Sequence, residues 1–331
     1  MSRTWKGTFL LGAAVFLVAT SWVIFDFFVW VPDFSKLKES VPVPIRLFNG
    51  DKSTRTIGPR APGWTPLNAM APSVPRAVVA SEDASFYSHK GLDVYEMQQA
   101  FKKDLQEGRF ARGASTITQQ VLKNVFLSDY PRVWRKVKEI AWASKLEQAL
   151  TKPQILAFYL NMAEWGPGIY GITEASRHYF GVPPSELSAR QAAFLTMLLP
   201  SPRRYHAYFR KRALTEWAAK RVNRILAVMN KMGHLSNEEY QVALNENLWG
   251  AEVISDSAPG SPADPGWDAQ ENDSEQFEPS GADAALARSG QRGAPAAAPA
   301  PVPSLEAAPV GDPAPSAEDA PAPSEPADLE E

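Results

Sequence analysis

The sequence predicts a mainly α-helical domain, attached to one N-terminal membrane helix and followed by a disordered tail. Three observations carry this. Residues 8–31 are a mostly apolar stretch with a single charge, Asp26. From Arg76 to about residue 250 apolar residues recur at helical spacing, and strand signals are sparse. After Gly250 the composition turns to Ala, Pro, Glu, Asp and Ser, too polar and charged to offset the entropy of ordering.

The formal net charge of −3 is an average over two populations. Residues 251–331 hold 17 of the 37 acidic residues, 14 of the 29 prolines and only Arg288 and Arg292 as bases, a net of −15. Residues 1–250 therefore carry +12, which suits an anionic ligand or surface. The chain has no cysteine, so a disulfide framework, a Cys-ligated zinc and an Fe–S cluster are excluded. His89, His178, His206 and His234 are scattered, which speaks against a multi-His metal site.

In order along the chain, residues 1–7 read as a cytoplasmic N-terminus, because Arg3 and Lys6 precede the apolar run. Residues 8–31 exceed the roughly 20 needed to span a bilayer and run on past the usual apolar length of a signal peptide, about 7–15 residues. They read as a retained anchor, with the remainder extracytoplasmic. Residues 32–75, with eight prolines, read as a stalk wrapping onto the domain, with short β-like pieces such as 45–48. Residues 76–250 form the folded domain. Helices are expected at 76–87, 92–107, 115–127, 132–150, 153–161, 168–180, 188–198, 211–232 and 236–244. Pro131 fits a helix start with Asp129 as its cap, and Gly233 fits a stop. Residues 251–331 form the tail.

Four clusters carry chemistry. In the first, residues 81–91, a continuous helix places Glu82, Phe86 and His89 on one face; an ordinary helix end with solvated Glu82 and Asp83 is the alternative. In the second, residues 112–124, Ser115 is the expected N-cap, and Gln119, Lys123, Gln120 and Asn124 form pairs one turn apart. Such a stripe suits a sugar or phosphate, or is simply a solvent face. In the third, residues 132–139, Val133, Val137, Ile140, Ala141 and Ser144 form the expected packing stripe. Arg135 and Lys136 share a face with Glu139, as a surface ion pair or an anion site; base before acid is the weaker order for a pair, which favours the anion site. The fourth, residues 152–171, reads mostly as core packing.

Together these clusters resemble the peptidoglycan glycosyltransferase family (glycosyltransferase family 51). The family order E-D-x-x-F-x-x-H-x-G, G-A/G-S-T-I-T/S-Q-Q-x-x-K-N, R-K-x-x-E and I-L-x-x-Y-L-N occurs at 82–91, 113–124, 135–139 and 155–161. A fifth region at 190–202 also matches, and 161–171 looks most like the monofunctional biosynthetic transglycosylases. Ala157 stands where the family often has an acid, and Pro131 where many members have arginine. Ser35 and Lys38 have the spacing of a transpeptidase nucleophile by chance, since no Lys-Thr-Gly follows.

The resemblance implies a lysozyme-like two-lobed helical glycosyltransferase domain that joins lipid II to a glycan on undecaprenyl pyrophosphate, with inversion at the donor anomeric carbon. Glu82 would be the base and Asp83 its support, with Ser115, Gln119, Gln120 and Asn124 alongside. Lys123, Arg135, Lys138 and Arg132 would meet the pyrophosphate. Glu139 would be the second catalytic carboxylate, orienting those bases or holding a divalent cation, Mg2+ or Mn2+. No organic cofactor is implied, and no nucleic-acid partner. The resemblance places the chain in the bacterial cytoplasmic membrane, with cell-wall synthesis or division proteins as partners. Two other readings remain at this stage. A lysozyme-like lytic enzyme also needs a carboxylic acid but not the basic run. A membrane-anchored glycan-binding scaffold would need none of the three charged motifs.

Overall fold

In the computed structural model, residues 12–18, 20–21, 31–107 and 115–249 are described, the side chains of 103–107 excepted. The predicted tail, most of the predicted anchor, Arg112, Gly113 and Ala114 lie outside them. Among the described residues no helix is long and apolar enough to cross a membrane.

The segment read as a stalk is part of the domain. A 3-10 turn at Phe34–Lys38 buries Phe34 and Leu37 in the core, and Ser35 is tied to Asp33. Strands β1 (Val41–Arg46) and β2 (Lys52–Ile57) form an antiparallel hairpin with Val43 opposite Arg55. Val41, Val43 and Ile57 point inward, the period-2 pattern of a sheet with one buried face. Pro42 and Pro44 alternate with them and are exposed, which an edge strand tolerates.

The helices follow as α1 (Ser73–Glu82), α2 (Val94–Glu107), α3 (Ile117–Val125), α4 (Arg132–Ala149) and α5 (Lys152–Met162). A bulged hairpin of β3 (Glu164–Gly166) and β4 (Ile169–Tyr170) comes next. Then come α6 (Ile172–Phe180), α7 (Ala189–Leu198), α8 (Pro202–Lys211), α9 (Glu216–Lys231) and α10 (Asn237–Asn245). The mainly helical expectation holds. Helix α1 packs on α7 and α9, while α3 packs on α4, α5 and β1. One hydrophobic cluster runs through both groups.

Four local expectations fail for physical reasons. Helix α1 stops at Glu82 instead of running to residue 87, because Asp83 leaves the helical region at φ −165°. Glu82, Phe86 and His89 therefore share no helix face. Helix α8 has no counterpart among the expected helices. Pro202 sits in the first turn, where its missing N–H costs nothing. Helix α9 starts at Glu216, since Arg212 is left-handed at φ 52° and Thr215 caps the new start by accepting from Ala218 N. Asp129 does not cap α4; it is exposed and lies 3.3 Å from Lys52.

Gly91 is a point of close backbone approach beside the first cluster. Its φ is +95°, and a Cβ there would lie 2.6 Å from the Ala143 carbonyl carbon on α4. Its carbonyl accepts from Thr116 Oγ1 at 2.8 Å. Both the left-handed backbone and the close approach exclude a side chain. Gly91→Ala should therefore destabilise the domain by about 2–4 kcal/mol, the sum of left-handed strain and overpacking. Chemical denaturation that finds the variant within about 0.5 kcal/mol of wild type would contradict this close packing.

Candidate active site

The last helical residue of α1 and the first turns of α3 and α4 bring the predicted residues together. Helix α1 buries Val74, Ala77, Val78, Val79 and Ala80, so Glu82 emerges from the core at its end. Its Oε2 accepts from Gln120 Nε2 on α3 at 2.9 Å. The other end of that amide, Oε1, accepts from Tyr159 OH on α5 at 3.1 Å. Tyr159 thus sets which way the Gln120 amide points, and Gln120 presents its N–H to the carboxylate.

Burial pushes the Glu82 carboxyl above the usual glutamate range. The Gln120 hydrogen bond and the charges of Arg221 and Lys123 pull it back, while Asp83 adds to the rise. Burial likewise holds the Lys123 ammonium below the usual lysine range. Glu139 and Glu82 oppose that shift, and Arg135 and Lys136 reinforce it. Burial and the Glu82 charge raise the Tyr159 phenol well above its ordinary value, so at neutral pH it is a donor.

Helix α4, packed against α3, carries the buried carboxylate of Glu139. Arg135 Nε lies 3.7 Å from Oε1 and Lys136 Nζ 3.4 Å from Oε2. The same Lys136 Nζ donates to Ser115 Oγ at 2.7 Å. The alternative of a surface pair is excluded, because the acid is buried and only the bases reach solvent.

Two predicted anion contacts stand elsewhere. Lys138 is 0% exposed, with its ammonium 4.4 Å from the Tyr130 ring centroid and 5.0 Å from that of Trp142. This is a buried cation–π site, not an open position. Lys136, three residues before Glu139, is the lysine that lies against its carboxylate. Arg132 is exposed in the first turn of α4. The expected packing stripe on α4 is also wrong. Val133 is 75% exposed, and the buried face is Lys138, Glu139, Trp142, Ala143 and Leu146. A polar pair inside and valines outside invert the usual signal.

On α3 the N-cap is Thr116, not Ser115. Thr116 Oγ1 accepts from Gln119 N, and Gln119 Oε1 accepts from Thr116 N, a full capping box. Gln119 is thus spent on the cap and buried, with its Nε2 unpartnered among the described residues. Asn124 is half-buried one turn beyond Gln120. Asp83 does not touch Glu82's reach of the site directly. Its Oδ2 accepts from Ile117 N at 2.9 Å and its Oδ1 from His89 Nε2 at 2.9 Å. Sequence reasoning missed Tyr159 and Arg221; Tyr159 lies inside the fourth motif and reads there as packing.

A protein-held divalent cation does not fit the donor set. Both Glu139 oxygens face a cationic side chain, and among the described residues no group of three or more His, Asp or Glu converges.

The family model described as Transglycosylase matches residues 50–230, more than half of the chain. A biosynthetic peptidoglycan transglycosylase of Nitrosospira multiformis is 36% identical over 224 residues, 67% of this chain and 93% of that protein. One from Laribacter hongkongensis is 45% identical over 151 residues, 46% of this chain and 66% of that protein. A penicillin-binding protein 1A structure from Haemophilus influenzae overlaps 63% of this chain and 22% of its own, at 20% identity and a TM-score of 0.32, too slight an overlap to bear on the fold.

The electrostatics of Glu82 are directly measurable. A carboxyl-carbon NMR titration should place its midpoint above the ordinary value of about 4.3. Gln120→Leu removes a hydrogen bond to the charged form and should move the midpoint further up. A midpoint at or below the ordinary value would contradict the burial described for Glu82.

Proposed function

Because the chain belongs to the transglycosylase family, we propose that it is a peptidoglycan glycosyltransferase that polymerises lipid II into glycan strands. The observation that carries the reading is a pair of carboxylates, one at the end of α1 and one on α4, each held by side-chain partners. Glu82 is held by Gln120, and Glu139 lies between Arg135 and Lys136. The electrostatic coupling of Lys123 to both acids supports placing it with them.

The roles follow from charge and reach. Glu82 takes the proton from the acceptor's 4-hydroxyl as that oxygen attacks the donor anomeric carbon. A raised affinity for protons suits a base that must accept one near neutral pH. The departing undecaprenyl pyrophosphate carries the opposite demand, and Lys123, Arg135 and Lys136 supply positive charge for it. Glu139 orients Arg135 and Lys136, and holds them apart from mutual repulsion until the anion develops. Attack from the face opposite the leaving lipid inverts the anomeric centre. Lys138, buried beneath aromatic rings, has no part in this scheme; Arg132 stands at the solvent end of the same helix. Ser115 anchors Lys136, and Asp83 acts through α3.

Both substrates are membrane lipids, so an envelope location with the chain tethered by residues 8–31 raises their effective concentration. The exposed apolar side chains Val94, Tyr95 and Phe101 on α2, and Val133, Trp134 and Val137 on α4, support contact with the lipid interface. The +12 of residues 1–250 suits an anionic leaflet.

Purified protein incubated with lipid II should form polymer. Glu82→Gln should lower kcat by at least about 100-fold, the scale of a lost general base, and Glu139→Gln should impair it severely. Full activity in Glu82→Gln would remove the base assignment, and cleaved glycan without polymer would favour a lytic enzyme instead.

A further inference from the structure

A buried ionic chain behind the site has no role in the scheme above. It links α4, α5 and the loop after α1 to the first turn of α3. Glu147 Oε1 on α4 accepts from Lys152 Nζ at 2.7 Å and from Thr118 Oγ1 of α3 at 2.6 Å. Lys152 Nζ also lies 3.4 Å from His89 Nδ1 and 4.4 Å from the centroid of the Phe86 ring. His89 Nε2 meets Asp83, whose second oxygen holds Ile117 N. The side chains of Asp83, His89, Glu147 and Lys152 are 2%, 8%, 9% and 17% exposed, so the chain is shielded from water throughout.

The hydrogen bonds assign the His89 proton. Gly91 N–H donates to Nδ1 at 3.1 Å, and the Lys152 ammonium, a pure donor, faces the same nitrogen. Nδ1 must therefore be the acceptor, and the ring proton sits on Nε2, donated to Asp83. Were Lys152 absent, the Glu147 carboxylate, 3.9 Å from Nδ1, would compete with the Gly91 N–H for that nitrogen and draw the ring proton to it, and Asp83 would lose its orienting donor.

We propose that Glu147 and Lys152 form a positioning clamp that, through His89 and Asp83, sets the rotation of α3 and so the placement of Gln120 and Lys123 against Glu82. The proposal rests on the glycosyltransferase reading for its kinetic consequence, though not for its structural one. Helix α3 is gripped at successive residues, at the Ile117 N–H by Asp83 and at the Thr118 hydroxyl by Glu147. Gln120 and Lys123 lie within the next two turns. A small rotation at the grip swings both away from Glu82. The negative charge of Asp83 at the helix N-terminus adds a favourable dipole interaction. Neither Glu147 nor Lys152 touches Gln120, Lys123 or Glu82 in any contact above; both are positioning residues.

The test uses the full-length protein and two readouts. Lys152→Met keeps the apolar stem over Phe86 and removes the ammonium. Expected are a fall in kcat for lipid II polymerisation on the order of tenfold to a hundredfold, a smaller change in KM, and loss of the His89 15N pattern of an Nε2-protonated neutral ring. Lys152→Arg should retain both that pattern and most of kcat. Should Lys152→Met fail to fold because Glu147 is left as a lone buried charge, the Glu147→Gln/Lys152→Met double variant carries the same readouts. Unchanged kcat in a Lys152→Met protein overturns the proposal, as does lost kcat with the wild-type His89 pattern intact. If wild type itself makes no polymer, the functional reading fails, while the His89 spectrum still decides the clamp.

Discussion

The carboxylate of Asp83 joins the two halves of the site. It ends α1 one residue after Glu82 and begins α3 by accepting from Ile117 N. A charge-assisted hydrogen bond at a helix N-terminus stabilises by roughly 1.5–3 kcal/mol when buried. Its importance here is geometric, because it ties the base-bearing helix end to the helix that carries Gln120 and Lys123. Gly91, squeezed against Ala143 and bonded to Thr116, allows the loop between them to pass close enough for that bond to form. The capping box at Thr116 then commits the helix to the same start.

From that junction the electrostatics follow. Burial pushes Glu82 and Lys123 toward their neutral forms, and each is drawn back by the other's charge. Glu139 opposes the shift at Lys123 and pairs with Arg135 and Lys136. A cluster of this kind is poor as a source of stability, since the desolvation of buried charges offsets much of their attraction. It is well suited to receiving a new anion, because positive groups are already oriented where charge will develop and need no reorganisation. The hydrogen-bond path from Tyr159 through Gln120 to Glu82 orients the base in the same preorganised way.

Much of the site was legible in the sequence, because motif order names residues regardless of how the chain turns between them. Glu82, Gln120, Lys123, Arg135 and Glu139 were all found that way. What failed was local inference applied to nonlocal partners. Periodicity carried α1 through to residue 87, but Asp83 leaves the helix for an amide 34 residues away. The valines of α4 read as its core face, yet Val133 and Val137 are exposed while Lys138 and Glu139 are inside, because the helix turns its charged residues toward α3. Lys138 and Lys136 could not be separated by spacing alone; the rings of Tyr130 and Trp142 decide between them. Proline density suggested a stalk for residues 32–75, whereas alternate burial of Val41 and Val43 marks a hairpin over residues 41–57 of it. The ionic chain of His89, Glu147 and Lys152 spans three separate segments and, His89 apart, has no sequence signature.

The central claim is that Glu82, its proton affinity raised by burial, is the base that starts strand elongation. The pH dependence of kcat/KM for lipid II polymerisation tests it most directly, since the acidic limb reports the essential base of the free enzyme. The account predicts an acidic limb whose midpoint lies above the ordinary glutamate value of about 4.3 and coincides with the titration of Glu82 itself. An acidic limb at or below that value, or one displaced from the Glu82 titration, would contradict it.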